Sequence, residues 1–220
     1  MPRTARIVIP EVPHHITHRG NNLEDVFFVD EDRRVYLELL AQNAEAAGLT
    51  GLGYCLMTNH VHIVGIPQAP DSLAKAMGRT AGRYTQHINR TCKRRGHLWE
   101  SRFYSCALDE RHTVAAMRYI ECNPVRAGIV RKPWEYPWSS APAHVGLSAT
   151  GAFCATAPWD DAWPPEEWRR MLDTTLEAEL VNAVRHKTMN GRPLGTASFV
   201  NALERLLGRR LHALRPGRPW

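Results

Sequence analysis

Period-two apolar alternation in several short segments, helical apolar stripes in others, and their order along the 220 residues predict an α+β fold. The order is strand, helix, strand, strand, helix, strand, helix. It fits a ferredoxin-like or RRM-like antiparallel sheet with helices on one face. A change of composition after Val130 then predicts a Pro/Trp-rich linker and a small helical C-terminal extension. The expected division is 1–132 for the α+β domain, 133–165 for a linker wrapping it, and 166–220 for the basic extension.

Arg6 to Ile9 reads as a short lead-in strand stopped by Pro10. Pro13 to Arg19 reads as a strand ended by the turn signal Gly20-Asn21-Asn22. His14 and His15 are adjacent, so they face opposite ways and are expected to be polar strand positions rather than ligands. Asp30 is placed to N-cap a helix running to about Ala47, with Val35, Leu39, Leu40 and Ala44 as its stripe and Gly48 as its stop. Thr50 to Met57 is a second strand. A third runs from the histidine pair to Ile66, with Thr58-Asn59 either a tight connection or part of it. Asp71 or Ser72 caps a long helix to about Arg90, apolar at Leu73, Met77, Tyr84 and Ile88. A short strand ends near Leu108, and Asp109-Glu110 open a helix to about Cys122, ended or broken at Asn123-Pro124 because a residue before proline avoids the α region. In the linker, Trp134, Trp138, Trp159 and Trp163 are expected to anchor on the domain surface. Helices then follow over about 166–187, broken near Asp173, and about 197–207, capped at Thr196 or Ser198 and stopped by Gly208.

A hydrophobic fraction of 44% supports a packed core and excludes a disordered chain. The five cysteines have no C-x-x-C spacing and an odd one left over, against a zinc ribbon or disulfide framework and in keeping with a reducing cytoplasm. No apolar run is long enough to span a bilayer, so no membrane partner is expected. The net charge of +6 is concentrated: eight Lys/Arg stand against two acidic residues from Asp71 to Ala107, and six Arg against Glu204 from Gly191 to Trp220. Two basic blocks in one chain point to two contacts with a polyanion.

In Met57-Thr58-Asn59-His60-Val61-His62-Ile63-Val64, His60 and His62 project from one strand face while Val61 and Ile63 pack on the other. Paired imidazoles on a rigid strand begin a divalent-metal site, but spacing alone separates neither ligand from surface residue nor one metal from another. Downstream, Tyr119 has Asn123 four residues on, on the same helix face. No other tyrosine has a carboxamide at that offset.

Together these features resemble the single-tyrosine HUH endonucleases and, more closely, the REP-associated tyrosine transposases. The matching stretches are Met57–Val64, His97-Leu98-Trp99-Glu100-Ser101-Arg102-Phe103, Arg118 to Gly128, and Tyr136-Pro137-Trp138-Ser139-Ser140, with His18–Asn22 and Gly191–Gly195 also family-like. Many mobile-element relatives have Gln four after the tyrosine, and Asn123 points to the REP-associated branch. The resemblance implies Tyr119 as nucleophile, with His60, His62 and the Asn123 oxygen holding one Mg²⁺ or Mn²⁺. It implies single-stranded DNA with a palindromic REP hairpin as substrate, cleaved through a 5′-phosphotyrosine, in a cytoplasmic, nucleoid-associated protein acting as monomer or homodimer. Lys75, Arg79, Arg83, Arg94, Arg95 and Arg102 are expected at phosphates, Arg19, Asn21 and Asn22 at bases, and Trp99 stacked on an extruded base. Arg209, Arg210, Arg215 and Arg218 are expected to grip the hairpin. A non-catalytic hairpin-binding protein that keeps the fold, and a hydrolase using only the histidine pair, are the rival classes.

Overall fold

The computed structural model describes residues 6–149, 151–154 and 162–212. Four strands form one antiparallel sheet: β1 (His14–Arg19), β2 (Leu49–Met57), β3 (His60–Pro67) and β4 (Tyr104–Ala107), in the order β2-β3-β1-β4. Thr58-Asn59 is a tight turn, so β2 and β3 form a hairpin with Met57 opposite His60. Register then places Thr17 opposite His62 and Arg19 opposite His60.

Helices α1 (Asp30–Ala47) and α2 (Ser72–Thr91) cover one face, as their stripes predict. Tyr36, Leu40, Leu73, Met77, Tyr84 and Ile88 pack there against Ile16, Leu56, Val61 and Ile63. The sheet carries a second helical layer as well. Helix α3 (Glu110–Glu121) and the extension helices pack over Cys55, Met57, Val64, Cys106 and Leu108 on the opposite face. The sequence already holds the reason: Cys55, Leu56, Val61, Ile63 and Val64 are fully buried, so neither side of β2–β3 is left for water. Gly53 admits this layer, because a Cβ there would collide with the Met117 side chain of α3.

Two local expectations are corrected. Residues 6–9 are not a strand; Ile7 and Ile9 are buried in a separate cluster with Val200, Leu203 and Leu211. Asp30 is the first helical residue rather than the cap, and the capping carboxylate is Asp32, which accepts from the Phe28 and Val29 amides.

A short helix α4 (Asn123–Arg126) follows the break before Pro124. Residues 136–140 then run along β2: the Leu56 amide donates to the Trp138 carbonyl at 2.8 Å, the Ser140 amide to that of Tyr54 at 3.0 Å, and the Tyr136 hydroxyl to that of Leu56 at 2.7 Å. The linker therefore closes an exposed sheet edge. Trp134, Trp138 and Trp163 are partly buried against the core, whereas Trp159 lies outside the described residues. Helix α5 (Ala141–His144) leads on to α6 (Pro165–Asp173), α7 (Ala178–Asn190) and α8 (Ala197–Leu207). The break between α6 and α7 falls where the sequence places it. Gly191 and Gly208 end α7 and α8 in the left-handed conformation that favours glycine.

One buried carboxylate ties these parts together. Glu121, with no exposed surface, accepts from Ser140 Oγ at 2.5 Å, the His144 ring at 2.6 Å and Trp168 Nε1 at 2.8 Å. It binds α3 to the linker and to α6.

Candidate active site

On the face covered by α3 and α7, β3 presents His60 and His62, β1 presents His15, α3 presents Tyr119, and α4 begins with Asn123. The two rings of the pair stand at right angles with centroids 4.9 Å apart. The Tyr119 ring lies edge-on to His62 at 5.4 Å and to His15 at 5.7 Å. The structure thus gathers the sequence-predicted Tyr119, His60, His62 and Asn123 in one place.

Both histidines of the pair are held neutral. Burial, then the charges of Arg19 and Arg185, bring His60 down to about 4. Burial, then His60, His15, Arg126 and Arg19, hold His62 well below the usual imidazole range. Neutral imidazole is the metal-binding form. His60 Nδ1 contacts Asn59 Oδ1 at 2.6 Å, and His62 Nδ1 contacts His15 Nε2 at 3.0 Å. Each ring is thereby anchored by one nitrogen, the arrangement that orients imidazole ligands. Among the described residues no hydrogen bond occupies His62 Nε2.

Asn123 meets His60 by its amide nitrogen, Nδ2 lying 3.3 Å from His60 Nε2, while its oxygen accepts from Arg126 at 3.1 Å. For that oxygen to face the histidines the amide must turn over. Arg126 would keep its stronger contact, to the Tyr119 carbonyl at 2.6 Å. Two imidazole nitrogens and, after that rotation, the Asn123 carboxamide oxygen are the donors here that could hold one divalent ion.

The nucleophile candidate is flanked by cations. Arg185 Nε donates to the Tyr119 hydroxyl at 3.2 Å, and the Arg126 guanidinium stacks 4.4 Å from the ring centroid. Together with the exposed Arg19, these charges make the site attractive to a phosphodiester.

Arg126, Arg185, His15, Asn59 and Thr188 are additions the sequence reading did not single out. Arg126 was within reach, three residues beyond Asn123 in the same short helix. His15 shares strand parity with Thr17 and Arg19, but nothing local says that a residue 173 positions away, Thr188, meets its ring.

The other expected contacts divide. Arg102, Arg209 and Arg210 join Arg6 and Arg192 around a cavity of about 460 Å³ between residues 101–105 at the start of β4, the end of α7 and residues 209–211, and no acidic residue lines it among the described residues. Asn21 and Asn22 occupy a turn beside the site; Asn22 and Leu23 both hold left-handed φ (51° and 62°), and Asn59 Nδ2 donates to the Leu23 carbonyl at 3.0 Å. Arg94 pairs with Glu24 near that turn, and Arg95 is exposed on the same basic loop. Lys75, Arg79 and Arg83 lie on α2, across the sheet from the histidine pair; Lys75 pairs with Asp71 and Arg83 with Gln42. Trp99 is a correction. It is 8% exposed, stacked on His18 at 4.3 Å and packed beside Tyr36 and Tyr84, so its faces belong to the core and offer no platform for a base. Arg215 and Arg218 lie outside the described residues. No helix among the described residues is long and apolar enough to cross a membrane.

The family model described as IS200-like transposase matches residues 10–123. A Haemophilus influenzae protein provisionally named as a REP-associated tyrosine transposase is 23% identical over 124 residues, 51% of this chain and 68% of that protein. A REP-associated tyrosine transposase solved bound to a REP hairpin shares the fold, with a TM-score of 0.54 and 15% identity over 70% of this chain and 92% of that one.

Proposed function

Because the chain belongs to the IS200-like transposase family, we propose that it is a single-tyrosine strand-transfer enzyme of the REP-associated branch. Its substrate is single-stranded DNA bearing a palindromic hairpin; the solved relative of this fold is bound to a REP hairpin. The observation that supports this best is Tyr119: its hydroxyl accepts from Arg185, and its ring sits against the imidazoles of His62 and His15, both kept neutral by burial.

The reaction is a transesterification. Tyr119 Oη attacks the scissile phosphorus, a tyrosyl O–P bond forms, and the P–O3′ bond breaks. The phenolic proton leaves and the departing 3′ oxygen gains one, giving a 5′-phosphotyrosine and a 3′-hydroxyl. The phosphodiester energy is kept for rejoining. His60, His62 and Asn123 would hold the divalent ion, which when bound neutralises charge on a non-bridging phosphate oxygen. Arg185 meets negative charge on the tyrosyl oxygen. Arg126 fixes the ring by stacking and by holding the Tyr119 carbonyl. Arg19 and the strained turn at Asn21-Asn22 receive the bases beside the cut. The strand continues along α7 towards the cavity ringed by Arg102, Arg209 and Arg210.

Residues 1–132 form the nuclease unit in this reading, 133–165 its brace, and 166–220 a DNA-gripping extension that also lends Arg185 to the nucleophile. The test is a denaturing gel with labelled hairpin oligonucleotides. A protein–DNA adduct that needs Mg²⁺ or Mn²⁺ and disappears in Tyr119→Phe, with binding retained, is the expected result. Cleavage without an adduct would replace the proposal with a hydrolase, and binding without cleavage with a non-catalytic hairpin binder.

A further inference from the structure

Behind His62 runs a buried file of polar groups whose hydrogens the geometry assigns one by one. The Thr188 hydroxyl lies 2.7 Å from the Val184 carbonyl oxygen. Two oxygens that close need a hydrogen between them, and the carbonyl has none, so Thr188 donates. Its oxygen therefore meets His15 Nδ1, 2.7 Å away, as an acceptor, and His15 carries its hydrogen on Nδ1. A neutral imidazole has one N–H, so His15 Nε2 is a bare lone pair. That lone pair faces His62 Nδ1 at 3.0 Å, which must hold the hydrogen, and His62 Nε2 is left bare. The same reasoning applies to His60. Asn59 donates through Nδ2 to the Leu23 carbonyl, which turns Oδ1 to His60 Nδ1 and leaves His60 Nε2 without a hydrogen, a lone pair that here accepts from Asn123 Nδ2.

We propose that Thr188, through His15, and Asn59 are positioning residues that lock the histidine pair in the tautomer presenting both Nε2 lone pairs to a divalent cation. The inference rests on the reading of His60 and His62 as its ligands. It gives α7 of the extension a second duty besides Arg185: the nuclease face acquires its ligand tautomer only when α7 is docked. It also links His60 to the turn at Asn22-Leu23, since one carboxamide holds both.

Histidine-labelled full-length protein without metal supplies the first test. Long-range ¹H–¹⁵N spectra at pH 7.5 are expected to place the hydrogen of His15, His60 and His62 on Nδ1; finding it on Nε2 of His15 or His62 overturns the relay. The second test is Thr188→Val, which keeps the volume and removes the acceptor. His62 is expected to shift towards the Nε2–H tautomer, and Mn²⁺ affinity, read from the EPR signal of the free ion, to fall about 10- to 100-fold. Thr188→Ser should restore both. An unchanged tautomer and affinity in Thr188→Val also overturn the relay. If His62→Ala leaves Mn²⁺ affinity unchanged, the ligand reading beneath it fails instead, and the wild-type spectrum tells the two failures apart.

Discussion

Mild acid should unfold this protein. Burial lowers His14 and His18 to about 4 and His15 to about 3, and holds His62 well below the usual 6.5. All four side chains are at most 5% exposed. Folded, they stay neutral until the pH approaches those low values; unfolded, they take up protons as the pH falls below about 6.5. The unfolded state then binds more protons, so stability present at neutral pH is lost on acidification. At pH 5.5 each group contributes about 1.4 kcal/mol to that loss and four together about 6 kcal/mol. This is comparable to the entire stability of many domains, about 5–15 kcal/mol. At about 2–4 °C per kcal/mol for a chain this long, the melting temperature should drop roughly 12–24 °C between pH 7.5 and 5.5. Circular-dichroism melts in EDTA, so that no cation competes with protons, measure it directly. A melting temperature constant within about 3 °C across that range would refute the claim that these histidines are buried in their neutral form.

Replacing Arg185 by Met removes the charged donor to the Tyr119 hydroxyl, and single-turnover adduct formation should slow about 10- to 100-fold, with hairpin affinity changing far less. Glu121→Gln leaves three buried donors facing a side chain with a single acceptor oxygen; one unsatisfied donor costs about 2 kcal/mol and should lower the melting temperature roughly 4–8 °C. Truncation after 190 would strip Val200, Leu203 and Leu211 from Ile7 and Ile9, so the cationic cavity is better tested by the pair Arg209→Gln and Arg210→Gln. Each arginine that neutralises a phosphate should, on replacement, flatten the salt dependence of single-strand binding by about 0.7 in log–log slope, and an unchanged slope would remove both arginines from the DNA path.

Much of the fold is legible in local pattern. The alternation around Val61 and Ile63 sets β3 and turns His60 and His62 to one face, and Gly48 and Gly208 stop helices where expected. Tyr119 meets His62 and Asn123 meets His60 because their offset is about one helical turn. The rest depends on tertiary docking. Ile7 and Ile9 alternate like a strand, but with no strand beside them they pack as loop residues under α8. Trp99 follows a basic loop in sequence, and its packing on His18 and beside Tyr36 and Tyr84 reveals a core position. His15, Arg185 and Thr188 belong to the site through α7, and no periodicity says which sheet face a distant helix will cover.

Within five residues of α3 and its continuation, Tyr119 and Asn123 look towards the histidines while Glu121 looks away, into Ser140, His144 and Trp168. Candidate site and scaffold therefore share one short segment. A random screen for alleles that lose strand transfer would return Ser140, His144 and Trp168 beside Tyr119, because all three hold Glu121 and with it the segment that carries Tyr119. Among such alleles, those on the Glu121 side should regain activity at low temperature, whereas those at Tyr119 should stay dead at every temperature.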